Sequence, residues 1–168
     1  GEHEANRQEA YQGYSRKLSG FGKVGVDLAF ARSESSGAIE FGDHYFQRYN
    51  GRVQLVSALG QTDLVAGYQG KFFGWPNMYT PFGVKETENL QTVLFALNHR
   101  KDFANGDFLQ VGSFWRRNRD DYEYNRFIPG QYNPYKHTTY VYGFAAEGRS
   151  SFGLQNFAQS PAADRLDR

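Results

Sequence analysis

Apolar and polar residues alternate with a period of two along most of this 168-residue chain. The clearest stretch is KVGVDLAFAR, in which Val24, Val26, Leu28 and Phe30 occupy every second position and Asp27 lies between them. Successive side chains of a β-strand point to opposite faces, so this stretch predicts a strand with one apolar face. The period of 3.6 residues that marks a helix is almost absent. The chain is therefore predicted to be all-β.

The same alternation recurs between turn-forming residues. It predicts about seven strands in a single domain over residues 1–168, near residues 7–18, 22–33, 38–58, 63–73, 86–101, 107–126 and 136–150. A weaker eighth strand is predicted in FGLQNFAQ. We expect an antiparallel up-and-down meander of about 7–8 strands, because several connections are too short for a crossover between parallel strands.

The connections between these strands alternate between short and long. The short ones are SGFG, ALGQTD and KDFANGD, and the long ones are SESSGAIEFGDH, FFGWPNMYTPFGVKETE and YEYNRFIPGQYNPYKH. Alternate connections of a meander lie at the same end of the sheet, so all the long loops should share one end. This layout is typical of a transmembrane β-barrel in an outer membrane.

Two further features favour a barrel in a membrane. One face of each predicted strand carries three or four consecutive apolar residues, which is about the height of the roughly 25 Å lipid-facing band of such barrels. Rings with a polar edge lie toward the predicted strand ends, as expected at a membrane interface: Tyr45, Tyr49, Tyr68, Trp115 and Tyr140. A soluble lipocalin-like carrier shows the same period with its apolar face inward, and this alternative stays open.

The composition excludes several partners. A formal net charge of +1 gives no electrostatic footprint for nucleic acid. The chain has no Cys, so a disulfide framework and a thiolate metal site are both impossible. Its mean hydropathy is -0.71, and no run of about 18 apolar residues is present for a membrane-spanning helix.

The long loops contain the candidate binding residues. Rigid aromatic side chains supply contact area at a low entropic cost, so Trp75, Tyr79, Tyr122 and Tyr124 are predicted to face a small-molecule ligand of unknown identity. The alternative is that the loop rings pack on one another, with Phe72 and Phe73 anchored at the membrane interface.

A charged cluster opens the third long loop. Three carboxylates, Asp120, Asp121 and Glu123, are candidate ligands for Ca²⁺, which prefers oxygen donors. Their spacing is not that of an EF-hand, and the adjacent arginines favour a solvated charge cluster instead. The same arginines are candidates for contact with lipopolysaccharide phosphates: Arg116, Arg117 and Arg119.

No catalytic motif is present. The four histidines are scattered, and neither an HExxH sequence, a GxSxG elbow nor a P-loop occurs. We therefore expect no enzymatic activity, no catalytic residues and no cofactor.

Three longer stretches resemble a known family. DLVAGYQGKFFGWPNMYTPFG, NLQTVLFALNHRKDFANGDFLQVGSFWRRNRDDYEYNRF and HTTYVYGFAAEGRSSFG are similar to the barrel region of TonB-dependent outer-membrane receptors, closest to the vitamin B12 receptor-like group. The resemblance covers most of residues 7–153. It implies a ligand-uptake transporter with a 22-stranded barrel and an N-terminal plug, located in a Gram-negative outer membrane and driven by an energy-coupling periplasmic protein.

The chain departs from that pattern in length, since each barrel strand takes roughly 10 residues before loops are counted. We therefore expect a barrel segment from which the plug domain and the remaining strands are absent. Its partners are expected to be the lipid bilayer and lipopolysaccharide. A small closed outer-membrane barrel with an adhesin or structural role is a second hypothesis, and the soluble carrier is a third.

Overall fold

The computed structural model describes residues 5–18, 22–132 and 134–151. These residues form one seven-stranded sheet in which every strand pairs antiparallel with its sequence neighbours. The strands are β1 (Ala5–Leu18), β2 (Gly22–Ser35), β3 (His44–Ser57), β4 (Gly60–Gly74), β5 (Thr87–Asp102), β6 (Phe108–Glu123) and β7 (Tyr135–Arg149). The predicted all-β meander is confirmed. In this described part of the chain β1 and β7 do not pair with each other, so the sheet is open.

The largest error in the predicted strand bounds is at β3, which begins at His44 and not near residue 38. The Gly42 amide donates a 3.0 Å hydrogen bond to the Ile39 carbonyl, and Phe41 has a φ of 62°. A turn with a left-handed residue cannot continue a strand. The predicted eighth strand lies outside the described residues.

The register separates the side chains into two faces. On the apolar face, four successive cross-strand rows from β2 to β7 form what we call the apolar band. The rows are Val24–Leu55–Thr62–His99–Val111–Ala146, Val26–Val53–Leu64–Leu97–Ser113–Phe144, Leu28–Gly51–Ala66–Phe95–Trp115–Tyr142 and Phe30–Tyr49–Tyr68–Val93–Arg117–Tyr140. The predicted facing of Val26, Leu28, Leu64, Leu109, Val111, Tyr140 and Tyr142 is confirmed, since all lie on this face.

The opposite, polar face is held together by side-chain hydrogen bonds. Asp63 accepts from the Arg52 guanidinium at 2.6 and 2.9 Å, from Gln54 at 3.0 Å and from Gln61 at 2.8 Å. Its side chain is only 13% exposed. The predicted residues of this face, Asp27, Gln69, Gln110, Arg116 and Glu147, all lie on it. Polar side chains therefore satisfy one another across the strands.

The large apolar side chains are exposed, whereas a soluble domain buries them. Leu28 is 54% exposed and Tyr142 81%, and the buried apolar residue among the described residues is Ala31. A contiguous apolar surface of this kind marks an interaction with a membrane or another protein. The sheet thus lacks a core of its own in the described residues.

Short turns and long loops occupy opposite ends of the sheet, as predicted. The connections at residues 58–59 and 103–107 define the turn end. The loop end has a first loop (residues 36–43), a second loop (residues 75–86) and a third loop (residues 124–132 with 134). None of the described segments is a helix with the length and apolarity to cross a membrane.

Candidate functional site at the loop end

The three long loops contact one another. The Arg126 guanidinium of the third loop donates hydrogen bonds to both carboxylate oxygens of Asp43 in the first loop, one of them at 3.1 Å. The Arg126 amide donates to the carbonyl of Lys85 in the second loop at 3.0 Å. Phe41 and Phe127 meet edge to face with ring centroids 5.3 Å apart. One arginine therefore joins all three loops.

The ion pair shifts the pKa of both partners. The hydrogen bonds from Arg126 lower the pKa of the Asp43 carboxyl below its ordinary 3.8, against the opposing effect of partial burial. The same hydrogen bonds raise the pKa of Arg126. Charge-assisted bonds with two parallel contacts are stronger and more directional than neutral ones. The pair therefore remains ionised at neutral pH.

The second loop is closed by its own backbone. The Trp75 amide donates to the Glu86 carbonyl at 3.0 Å, and the Asn77 amide donates to the Val84 carbonyl at 3.2 Å. Asn77 adopts a φ of 61°, and its side-chain oxygen accepts a 2.6 Å hydrogen bond from the Gly83 amide. Asn tolerates this left-handed conformation better than most residues. The aromatic-rich stretch is thus an ordered structure.

Glu86 is the polar centre of this loop and is fully buried, with 0% exposure. Its carboxylate accepts hydrogen bonds from the Tyr79 amide at 2.9 Å, the Tyr122 hydroxyl at 2.6 Å and the Thr80 hydroxyl at 3.3 Å. A buried carboxylate without such donors would be strongly destabilising. Glu86 therefore holds the second loop against β6.

A cavity of about 550 Å³ opens beside this loop. It has apolar walls from Phe73, Trp75 and Met78, and polar groups from Tyr79, Lys71, Glu88 and His44. Four of these residues belong to strands and lie on the polar face: His44, Lys71, Phe73 and Glu88. The volume falls within the roughly 300–1,000 Å³ of small-molecule sites, which are mainly apolar with a few polar groups. The chemistry suits a small amphipathic ligand.

The predicted binding residues have different positions relative to the cavity. Trp75, which is 57% exposed, and Tyr79 line it. Tyr122 lies behind Tyr79, with ring centroids 5.3 Å apart. Tyr124 packs instead against Tyr132 in the third loop, also at 5.3 Å. The structure thus brings three of the four predicted rings together.

The predicted anchoring of Phe72 and Phe73 at the membrane interface needs correction. Phe72 and Phe73 do not share an interface position, because consecutive strand residues face opposite sides: Phe72 lies on the apolar face opposite Tyr45, and Phe73 lines the cavity. The predicted anchoring of Phe73 at the membrane interface is therefore wrong, and that of Phe72 stays a prediction.

The proposed Ca²⁺ ligands do not converge. Asp120 lies on the polar face, and Asp121 and Glu123 lie on the other. Asp121 is paired with Arg119 at 2.6 Å, and Glu123 accepts a hydrogen bond from the Gly130 amide at 2.9 Å. No three His, Asp or Glu side chains within the described ranges are placed to hold a metal ion. The Ca²⁺ alternative is wrong because the strand alternates its side chains.

Sequence reasoning missed Glu86, Asp43 and Arg126. Each stands in a stretch that resembles an ordinary polar loop, and their partners are distant in sequence: Arg126 is 83 residues from Asp43, and Tyr122 is 36 residues from Glu86. No local pattern marks such pairs.

Comparisons with known proteins identify no relative: no protein-family model, curated protein or solved structure matches the chain.

Proposed function

We propose that the chain is part of a transmembrane β-barrel in a Gram-negative outer membrane and serves ligand uptake as a receptor of the TonB-dependent type. The apolar band would face lipid, the polar face would line the lumen, and the loop end would be extracellular. For the full receptor, the proposal implies an energy-coupling periplasmic protein as partner. The observation that carries the proposal is the exposed apolar band, whose top row contains Tyr49, Tyr68 and Tyr140.

The height of the apolar band supports a bilayer as its environment. Its four rows are separated by three steps of two residues, and each residue rises about 3.4 Å. The band is therefore about 20 Å tall between the outer Cα rows, and side-chain width brings it close to the roughly 25 Å expected. Above it, the next row contains Arg32, Gln47 and Gln91.

The orientation of the tyrosines supports the same environment. Tyr49 and Tyr68 lie in the top row of the band, with ring centroids 6.2 Å apart. The Tyr49 hydroxyl donates to Gln47, one row nearer the loop end, at 3.4 Å, and the Tyr68 hydroxyl lies over Gly70 in that same row. Each ring thus keeps its apolar body in the band and its polar tip above it, as at a membrane interface. The predicted position toward the strand ends nevertheless holds only for Tyr45, because the strands extend beyond the band; the other four predicted rings lie in mid-strand: Tyr49, Tyr68, Trp115 and Tyr140.

The loop cavity supports the ligand-uptake part of the proposal. Loops locked by Glu86 and by the pair Asp43–Arg126 present a preformed site, which lowers the entropic cost of binding. The cavity lies on the same face as the polar side chains. A ligand captured there would be adjacent to the lumen.

A soluble carrier is less well supported. In such a carrier the apolar face points into the barrel, so its side chains would be the more buried ones. In the described residues the crowded side chains, such as Asp63, are on the polar face. A small closed barrel of about eight strands would require a partner for the free edge of β1.

The two tryptophans allow a direct test, since the chain contains only Trp75 and Trp115. Trp115 lies in the apolar band and Trp75 in the second loop. The variants W75F and W115F would each be folded into vesicles containing lipids brominated along the acyl chain. We expect strong quenching of Trp115 fluorescence in W75F and little quenching of Trp75 in W115F.

Weak and equal quenching of both tryptophans would exclude a lipid-facing band. If both variants instead stay folded and monomeric without lipid or detergent, the soluble carrier becomes the better explanation.

A further inference from the structure

Arg117 occupies an unusual position in the apolar band. From β2 to β7 it is the one Asp, Glu, Lys or Arg side chain in the four described rows, where it lies between Val93 and Tyr140 in the row nearest the loop end. Trp115 lies one row below it on the same face, and Arg119 one row above. Arg117 therefore stands in the row that borders the polar residues of the loop end.

Arg117 has no counterion in the described part of the chain. Its Nε is buried and has no hydrogen-bond partner. The neighbouring Arg119 differs, because it pairs with Asp121 through bonds of 2.6 and 3.0 Å. No aromatic ring takes the place of a counterion for Arg117 in the described residues, because their cation–π contacts involve other Lys and Arg side chains.

Arg117 has no acceptor within the described residues, so an anion from outside the protein can supply one. Burying a guanidinium donor without an acceptor is costly, and Arg binds phosphate with two parallel hydrogen bonds. Gln91 and Thr138 flank Arg119 in the next row, so they are diagonal neighbours of Arg117. Diagonal neighbours across strands are about 7–8 Å apart, within reach of long side chains. Their amide and hydroxyl can supply further donors.

We propose that Arg117 binds the phosphate of an anionic lipid headgroup at the border of the apolar band, with Gln91 and Thr138 as secondary donors. The inference depends on the proposed membrane location, because a lipid phosphate reaches this row only if the band lies in the acyl region. The membrane location alone does not say which residue contacts the lipid; here Arg117 is assigned to the headgroup phosphate.

The test compares binding of the full chain to two kinds of vesicle: pure phosphatidylcholine, and phosphatidylcholine mixed in equal parts with phosphatidylglycerol. The chain is refolded in the presence of each kind of vesicle, and the fraction that sediments with the vesicles is measured. R117Q should lose most of the preference for the anionic vesicles. The expected loss is a roughly fivefold weaker affinity for these vesicles, which is the contribution of one arginine near a membrane surface. R117K should keep part of the preference, because it retains the charge without the planar fork.

R116Q is the matched control. Arg116 is the adjacent residue of the same type, but it lies on the polar face and is exposed. R116Q should keep the wild-type preference. Equal losses in R116Q and R117Q would overturn the assignment, because the effect would then be one of net charge.

Two further outcomes separate this inference from the proposed function. Wild-type chain that binds both vesicles equally would overturn the Arg117 site and leave the membrane location standing. Chain that binds neither vesicle would overturn both. Excess inorganic phosphate should leave the preference largely intact; if it abolishes the preference, the site recognises free phosphate and the lipid assignment is wrong.

Discussion

The Tyr122 hydroxyl of β6 donates a 2.6 Å hydrogen bond to Oε1 of Glu86, the fully buried carboxylate at the end of the second loop. This contact ties β6 to the second loop, because the same carboxylate also accepts from the amide of Tyr79, which lines the cavity. A strand residue thus determines where a loop aromatic ring is presented.

Replacing Tyr122 by Phe removes this hydrogen bond without changing the ring. We expect a local destabilisation of the second loop by about 1–3 kcal/mol, since a buried charged acceptor loses a donor. Faster hydrogen exchange of the Tyr79 amide would report it. Y124F is the control, because the Tyr124 hydroxyl makes no hydrogen bond among the described residues. Unchanged protection of Tyr79 in Y122F would show that Glu86 does not depend on Tyr122.

The ion pair between Asp43 and Arg126 makes the loop end sensitive to acid. The folded pKa of Asp43 is lowered below 3.8, so its stabilisation is complete above about that pH and is lost as the pH falls through the folded pKa. Between pH 7 and 5 no change is expected from this group. The protection factor of the Arg126 amide against hydrogen exchange, taken relative to an unstructured peptide at the same pH, should therefore fall only at the acidic end; this amide donates to the Lys85 carbonyl.

D43N is the matching variant, because it keeps the shape of the side chain and removes the charge. In D43N the protection factor of the Arg126 amide should be low already at neutral pH, with little further change on acidification. A pH response in D43N equal to that of the wild type would assign the effect to another group.

Trp75 and Tyr79 are expected to contribute to ligand capture. If the chain belongs to a receptor as we propose, replacing both by Ala in that full receptor should weaken uptake roughly tenfold or more, as expected when two central aromatic anchors are lost. Assembly should be unchanged, because neither ring belongs to the apolar band. Uptake is compared with Y124A, whose ring packs in the third loop. Normal uptake in the double variant would remove the capture role, and loss of assembly would show a structural one.

Gly143 lies beneath the ring of Phe114 on the polar face. A Cβ at this position would lie 2.4 Å from a Phe114 ring carbon, well inside contact distance. G143A should destabilise the sheet by about 1–3 kcal/mol through overpacking. Urea unfolding in detergent micelles measures the change.

The control for Gly143 is G112A on the same face. The nearest atoms to a Cβ at Gly112 are 3.5 and 3.7 Å away, which is ordinary contact. G112A should be neutral or slightly stabilising, because Ala restricts the unfolded chain. If the two variants behave alike, the Phe114 ring moves aside at no cost.

The sequence by itself determined the strands, their order and the two faces. Alternation with a period of two is a local property, and short turns such as residues 58–59 leave an antiparallel neighbour as the only choice for the next strand. The facing of Leu28 and Asp27 could therefore be predicted from their own stretch. The placement of all the long loops at one end of the sheet followed from the same strand order, because alternate connections of a meander share one end.

The tertiary structure decided which loop residues meet. Glu86, Asp43 and Arg126 are distant in sequence from their partners, and a loop carries no period from which contacts can be inferred. The Ca²⁺ interpretation was wrong for a different reason: Asp120 and Asp121 are adjacent in the chain, and a strand turns adjacent side chains to opposite faces, as the predicted strand over residues 107–126 already implied. Where a strand ends depends on its neighbours in the sheet, which supply the hydrogen bonds that prolong it.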